Sequence, residues 1–214
     1  MTGAGAAMRR VLEARAGAAT VGEVEAEALA GLAERARELN EAVVYTCVDL
    51  DEVAAVRDEI AALTERLRAV RREHPPIGDE GAAGMTRQLA SPVSGPLNPI
   101  APPVHIRALP NGSARTEFEL SSIYEGPPSF VHGGVSAMIL DQILGVAASA
   151  NGTPGMTATL ELRYRRPTPH GARLVAEAEV ARVSGRRTYV DARILGPDGR
   201  VTVEATAMFV MPTM

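Results

Sequence analysis

The sequence predicts an α+β protein in which a single apolar helix packs against one antiparallel sheet, preceded by a separate helical region. Residues 1–73 contain no proline and are rich in Ala, Glu, Arg and Leu, a composition that favours helix. Residues 74–103 are dense in Pro and Gly, which is typical of a linker or an extended lead-in. Residues 104–214 alternate in the manner of β-strands around one long apolar segment. These three regions are the predicted domain organisation.

The first region is predicted to form a helical hairpin. Apolar residues recur at helical spacing in two runs, which are Leu29, Leu32, Ala36, Leu39 and Val43, and then Val53, Val56, Ile60, Leu63, Leu67 and Val70. Asp49 and Glu52 have capping-box spacing, so the second helix is expected to begin near Leu50. The apolar stripes could close on each other, on the main domain or on a second subunit. We interpret the hairpin as a scaffold or oligomerisation element, with binding of a specific partner as the alternative.

The third region reads as β-β-α-β-β-β-β. "VHIRAL" and "SARTEFEL" flank "PNG", which indicates a β-hairpin. The long apolar helix follows, and then "MTATLELRYRRP" alternates between apolar and polar residues. "ARLVAEAEVARV", "RRTYVDARIL" and "RVTVEATAMFVM" complete the series, separated by the short turns "SG" and "GPDG". The sheet is therefore expected to wrap the helix.

Composition excludes several classes of protein. A net charge of −4 gives no basic excess of the kind that nucleic-acid binders carry. The single cysteine, Cys47, rules out an intrachain disulfide, and the N-terminus lacks the apolar core of a signal peptide. The longest apolar run, 133–150, contains Asp141 and falls short of the roughly 20 residues of a membrane span. From these features we expect a soluble, cytoplasmic protein, and we expect no cofactor. His74 and His105 lie far from other ligand-type residues and are interpreted as ordinary loop and strand residues.

The stretch "SFVHGGVSAMILDQILG", residues 129–145, carries the most chemical information. Asp141 is the only formally charged residue between Gly126 and Leu160. A carboxylate in an apolar helix is costly unless it is hydrogen-bonded or paired, and such groups often act as general bases. The alternative is that Asp141 and Gln142 lie on an exposed side of the helix.

The two glycines of "HGG" mark the predicted start of this helix. The first N–H groups of a helix lack intrahelical partners and could stabilise an oxyanion, although a Gly-Gly pair also makes an ordinary helix entry. Gly133 and Asp141 are eight residues apart, about 12 Å along the helix axis at ~1.5 Å per residue. One substrate carbonyl cannot contact both on the same helix. If both act on one carbonyl, they must come from two subunits of an isologous dimer.

Residues 98–210 resemble the hotdog-fold thioesterases of the phenylacetic-acid-degradation (PaaI) type. The resemblance rests on "NPIAPP", "YEGPPSFVHGGVSAMILD", "TATLELRYRRPTPHGARL" and "SGRRTYVDARILGPDGRVTVEATAMFV". It implies a hotdog fold and an acyl-CoA thioesterase that works without a metal. Asp141 would be the general base or the nucleophile, and the backbone N–H of the partner subunit's Gly133 would polarise the thioester carbonyl. His132 and Gly134 would shape that pocket.

The resemblance also implies supporting residues. A Ser or Thr on the strand after the helix would orient water or the carboxylate, and Thr157 and Thr159 are both available. Since alternate strand residues point the same way, both are expected on one face, and we favour Thr157. Arg166, Arg186 and Arg187 are candidates for binding the phosphates of coenzyme A, with solvated strand-end arginines as the alternative. The Asn or Gln that many relatives carry ahead of His-Gly-Gly is absent from "SSIYEGPPSF".

Other functions fit the sequence less well. An α/β-hydrolase needs a G-x-S-x-G elbow, and the nearest segment, "GVSAM", lacks the last glycine. A hotdog dehydratase would place its acid further along the helix. A non-catalytic acyl-CoA-binding or interaction module on the same scaffold is the main alternative. The expected assembly is a homodimer or a dimer of dimers with shared active sites.

Overall fold

The computed structural model describes residues 20–80 and 86–211. Two helices precede the main domain, as predicted: α1 spans Glu23–Tyr45 and α2 spans Leu50–Arg68. The side chain of Asp49 accepts a hydrogen bond from the backbone N–H of Glu52 at 2.9 Å, which confirms the predicted start of α2. The first part of the predicted helical region, residues 1–19, lies outside the described residues.

The two helices form an antiparallel hairpin. Arg72, just beyond α2, forms an ion pair with Glu25 near the start of α1. At the other end of α1, the Tyr45 hydroxyl donates to the Ser122 hydroxyl of the main domain at 2.6 Å. Many residues of the apolar stripes stay exposed, with Val43 at 57 %. The described part of the chain does not bury them, so closure against a second subunit, one of the three alternatives, remains untested.

The Pro/Gly-rich segment is more than a spacer. Its strands β1 (Gly78–Glu80) and β2 (Thr86–Arg87) pair antiparallel around residues 81–85, which lie outside the described part. Farther along, Leu89, Val93 and Ala101 are buried, and Val93 belongs to the main hydrophobic core. The segment therefore packs onto the domain that it introduces.

The main domain has the predicted order of elements. These are β3 (Arg107–Ala108), β4 (Ala114–Phe118), a short 3₁₀ helix (Ser122–Tyr124), α3 (Gly133–Ala150), β5 (Met156–Tyr164), β6 (Leu174–Ser184), β7 (Arg187–Leu195) and β8 (Val201–Val210). The strands form one six-stranded antiparallel sheet in the order β3-β4-β6-β7-β8-β5. The prediction of one sheet around one helix is confirmed, and β5 lies at an edge of that sheet.

The apolar side of α3 forms the centre of the core. Six of its residues have no measurable exposure: Ile139, Leu140, Ile143, Leu144, Ala147 and Ala148. Four alanines lie opposite one another across the sheet, and their short side chains let the helix approach closely: Ala114, Ala178, Ala192 and Ala205. By length and composition alone α3 could cross a membrane. Its burial against the sheet is that of a core helix.

Candidate active site

The first turn of α3 leaves one backbone donor free. His132 is the N-cap, and its Nδ1 accepts the N–H of Gly134 at 2.9 Å. The His132 carbonyl accepts from Val135 at 2.9 Å and from Ser136 at 3.3 Å. Among residues 20–80 and 86–211, the Gly133 N–H makes no hydrogen bond. The cap therefore uses the neighbouring donors and leaves Gly133 able to bind a ligand oxygen.

Backbone hydrogen bonds fix the position of the loop before α3. The His132 N–H donates to the Tyr124 carbonyl at 2.9 Å, and the Val131 N–H donates to the Thr168 carbonyl at 2.8 Å. A Cβ at Gly126 would come within 2.8 Å of the His132 Cα, so only glycine fits at that position. The position of the cap thus depends on the 3₁₀ helix and on the turn after β5.

Tyr164 is a site residue that the sequence analysis missed. It ends β5, and its hydroxyl donates to the Gly133 carbonyl at 2.9 Å. A Cβ built at Gly133 would lie 3.3 Å from the Tyr164 ring. The only signal in the sequence was its place at the end of the alternating "MTATLELRY" segment. Tyr164 therefore packs against Gly133 at the first turn of α3 and remains 56 % exposed.

Asp141 lies half-buried on α3, facing the start of β5. Its Oδ1 accepts a hydrogen bond from the Thr157 hydroxyl at 3.0 Å. No other hydrogen bond or ion pair engages this carboxylate within the described ranges. Thr157 therefore orients the carboxylate while Oδ2 remains available to accept a proton or to attack carbon.

A β-bulge separates the two threonines. Thr157 lies opposite Phe209, whereas Thr159 lies opposite Met208, so β5 has one extra residue between them. Phe209 is 3 % exposed and belongs to the core, which places Thr157 on the helix side of the sheet. The prediction that both threonines point the same way is wrong, because the extra residue turns Thr159 to the other face, away from Asp141.

The predicted arginine cluster does not assemble within one chain. Arg186 and Arg187 lie at the β6–β7 turn, beside the start of β5, and Arg186 donates to the Met211 carbonyl at 3.3 Å. Arg166 follows the end of β5, where its N–H donates to the Thr202 carbonyl at 3.1 Å. A strand of this length spans about 30 Å, so the three exposed side chains cannot meet around one phosphate group in a single chain.

The two halves of the candidate site are likewise separated. Asp141 lies near the start of β5 and Gly133 near its end. Cavities of about 440 and 480 Å³ lie elsewhere, on the outer face of the sheet and between α1 and the segment 94–105. Neither cavity is lined by Gly133 or Asp141. The described residues hold no group of three metal-ligating side chains.

Comparison with known proteins gives a consistent identification. Residues 129–203 match the family described as "Thioesterase superfamily". The chain is 33 % identical over 94 residues to acyl-coenzyme A thioesterase THEM4 of Xenopus laevis, covering 44 % of this chain and 42 % of that protein. It is 36 % identical over 87 residues to THEM4 of Mus musculus, covering 40 % and 37 % respectively. The chain thus spans about two-fifths of the length of these curated relatives.

A solved structure extends the match over most of the chain. It is a crystal structure of a thioesterase superfamily protein that is 36 % identical to this chain, with a TM-score of 0.75. The match covers 85 % of this chain and 90 % of that one, so it includes more than the helix and sheet of the main domain. On this evidence the chain belongs to the thioesterase superfamily and has its hotdog fold.

Proposed function

We propose that the protein is an acyl-CoA thioesterase of the PaaI type, which hydrolyses a thioester to a free acid and coenzyme A. The observation that carries the proposal is the Asp141–Thr157 pair, since it presents an oriented carboxylate on the helix whose first turn leaves the Gly133 N–H free. The named relatives are acyl-coenzyme A thioesterases, which supports the same substrate class.

In the proposed reaction, Asp141 Oδ2 removes a proton from water as the water oxygen attacks the thioester carbon. The negative charge that develops on the carbonyl oxygen is stabilised by the Gly133 N–H at the positive end of the helix dipole. The tetrahedral intermediate then collapses, the C–S bond breaks, and the proton returns to the leaving sulfur. In the alternative route Oδ2 itself attacks the carbon, and the C–S bond breaks to release coenzyme A as a thiolate and leave a mixed anhydride. Water then hydrolyses the anhydride to the free acid, which restores the Asp141 carboxylate and supplies the proton for the thiolate.

We propose that each site is shared between two subunits. Because Gly133 and Asp141 are about 12 Å apart along α3, one carbonyl cannot contact both in the same chain. β5 is an edge strand, so two copies can pair antiparallel about a two-fold axis. Such pairing brings the start of one β5, with Asp141, towards the end of the other, with the partner subunit's Gly133.

The same arrangement offers a phosphate site. Arg186 and Arg187 lie at the start of β5, and Arg166 lies at its end. Antiparallel pairing of two β5 strands would bring the partner subunit's Arg166 to the end where Arg186 and Arg187 lie. Arginine suits phosphate because its planar donors match phosphate oxygens. We therefore retain the three arginines as the proposed binding group for coenzyme A, in the assembled dimer.

A free-thiol assay over a panel of acyl-CoA esters tests the proposed activity. We expect thiol release from a medium-chain or aryl ester, because the site combines a base with an oxyanion donor. Binding of acyl-CoA without thiol release would instead support a non-catalytic binding module. A panel with neither binding nor release would contradict both functions.

A further inference from the structure

A carboxylate clamp lies in the loop that leads to Gly133. Glu125 Oε2 accepts the backbone N–H of Ser129 at 2.8 Å and contacts His170 Nε2 at 2.8 Å. Glu125 begins the loop and His170 belongs to the turn after β5, so this side chain joins two segments that are distant in sequence. Neither residue was predicted from the sequence to belong to the site.

Ser129, which the clamp holds, has an unusual backbone conformation. Its φ of 72° is the only positive φ of a non-glycine residue in the described part of the chain. That conformation is strained for a residue with a Cβ and is natural for glycine. Such residues persist where surrounding contacts hold them, and they concentrate at functional sites. Two hydrogen bonds hold it here: the Ser129 N–H donates to the Glu125 carboxylate at 2.8 Å, and the Phe130 N–H donates to the Pro127 carbonyl at 2.9 Å, which closes a turn with Ser129 as its third residue.

The strained residue is part of a short closed loop. Glu125 and Val131 form an antiparallel bridge, and the Gly126 N–H donates to the Phe130 carbonyl at 2.9 Å. Phe130 also bridges to Pro169, next to His170. The loop therefore leads directly from the clamp to the His132 cap. A change in the backbone at Ser129 would be transmitted over three residues to the cap of α3.

The electrostatics favour the ionised clamp. The hydrogen bond from the Ser129 N–H, followed by that from His170, lowers the pKa of the Glu125 carboxyl below its usual range. His170 is the titratable group whose charge acts on Glu125. Because the folded-state pKa is lowered, the clamp is complete above the ordinary pKa of a glutamate. Its contribution is lost as the pH falls through the lowered value.

We propose that Glu125 is a positioning residue, which holds the loop 125–131 in the conformation that aims the free Gly133 N–H at the substrate carbonyl. This proposal rests on the proposed function, because it takes the Gly133 N–H as the oxyanion donor. The effect should appear in kcat more than in KM, since a donor to a developing oxyanion acts mainly in the transition state.

The test uses Glu125→Ala with a rescue by Ser129→Gly. Glu125→Ala removes the clamp, and we expect kcat to fall by about tenfold with KM nearly unchanged, as a small misplacement of a catalytic donor would cause. Glycine adopts the φ of 72° without strain, so the double variant Glu125→Ala/Ser129→Gly should regain most of the lost kcat. Glu125→Gln keeps an acceptor for the Ser129 N–H and should lose less than Glu125→Ala.

The matched control is Glu117→Ala. Glu117 is also an exposed carboxylate whose pKa is lowered, by hydrogen bonds from Arg173 and Arg115, but it lies on the outer face of the sheet. Its replacement should leave kcat unchanged. A fall in kcat for Glu117→Ala equal to that for Glu125→Ala would overturn the proposal, as would a double variant that stays as slow as Glu125→Ala.

Amide hydrogen exchange without substrate separates this proposal from the proposed function. Glu125→Ala should speed exchange at residues 126–135, and Ser129→Gly should restore the protection. If exchange at these residues is unchanged in Glu125→Ala, Glu125 does not hold the loop. If exchange is faster but kcat is unchanged, Glu125 holds the loop without positioning the Gly133 N–H. If wild-type protein hydrolyses none of the panel, the proposed function fails. Even then, the amide exchange rates at residues 126–135 in Glu125→Gln and Glu125→Ala, compared with wild type, decide whether Glu125 holds the loop.

Discussion

The Asp141→Asn variant is expected to lose roughly 10²–10⁴-fold in kcat, the range typical of a lost general base. The side-chain oxygen of asparagine can still accept the hydrogen bond that the Thr157 hydroxyl donates to Asp141 Oδ1 at 3.0 Å. An amide, however, neither accepts the proton from water nor attacks the thioester carbon. The fold should therefore survive while the chemistry fails, and kcat measured beside the thermal unfolding midpoint checks both.

Asp191→Asn is a matched control for that substitution. Asp191 Oδ1 accepts from the Thr206 hydroxyl at 2.8 Å, so it has the same Thr–Asp pairing as Asp141. Asp191 is exposed on the outer face of the sheet, which points away from the core. Its replacement should leave turnover at the wild-type level. Full activity in Asp141→Asn, or equal losses in the two variants, would contradict the assignment of Asp141.

The second large effect is expected at Gly133, where two substitutions isolate one N–H. Gly133→Pro removes the backbone donor, yet proline is well tolerated at the first position of a helix. The preceding residue, His132, has φ −59° and ψ 131°, a conformation that is compatible with a following proline. Loss of one oxyanion donor is expected to lower kcat by roughly 10²–10³-fold.

Gly133→Ala is the control for the added bulk. Alanine keeps the N–H but places a Cβ 3.3 Å from the Tyr164 ring, as proline also does. The ratio of kcat between the two variants therefore removes the effect of the shared Cβ and reports the replacement of the N–H by the proline ring. We expect the alanine variant to keep much more activity than the proline variant. Equal activities would show that crowding of Tyr164, and not the donor, explains the loss.

The features that the sequence predicts well depend on local patterns. The start of α2 follows from the spacing of Asp49 and Glu52, and the structure has that cap. The order of strands and helix along the chain follows from alternation, short turns and one long apolar segment. The lone carboxylate at Asp141 stood out because its surroundings carry no other charge. Such signals lie within a few residues of one another, so they can be read along the chain.

The features that were missed depend on cross-strand register and on distant contacts. Alternation alone puts Thr157 and Thr159 on one face, and only pairing with β8 reveals the bulge that separates them. Tyr164 reaches Gly133 across the start of the helix, and the Glu125–His170 pair joins segments 45 positions apart. No period in the sequence encodes these contacts.

The central claim, that one active site uses Asp141 from one subunit and the partner subunit's Gly133, is tested most directly by mixing two inactive variants. Asp141→Asn and Gly133→Pro are co-expressed with different tags, the mixed assemblies are purified, and thiol release is measured. Each purified mixed dimer has one intact site and one site that carries both changes, so about half of the wild-type activity should return. Activity no higher than that of the two variants assayed separately would contradict a shared site.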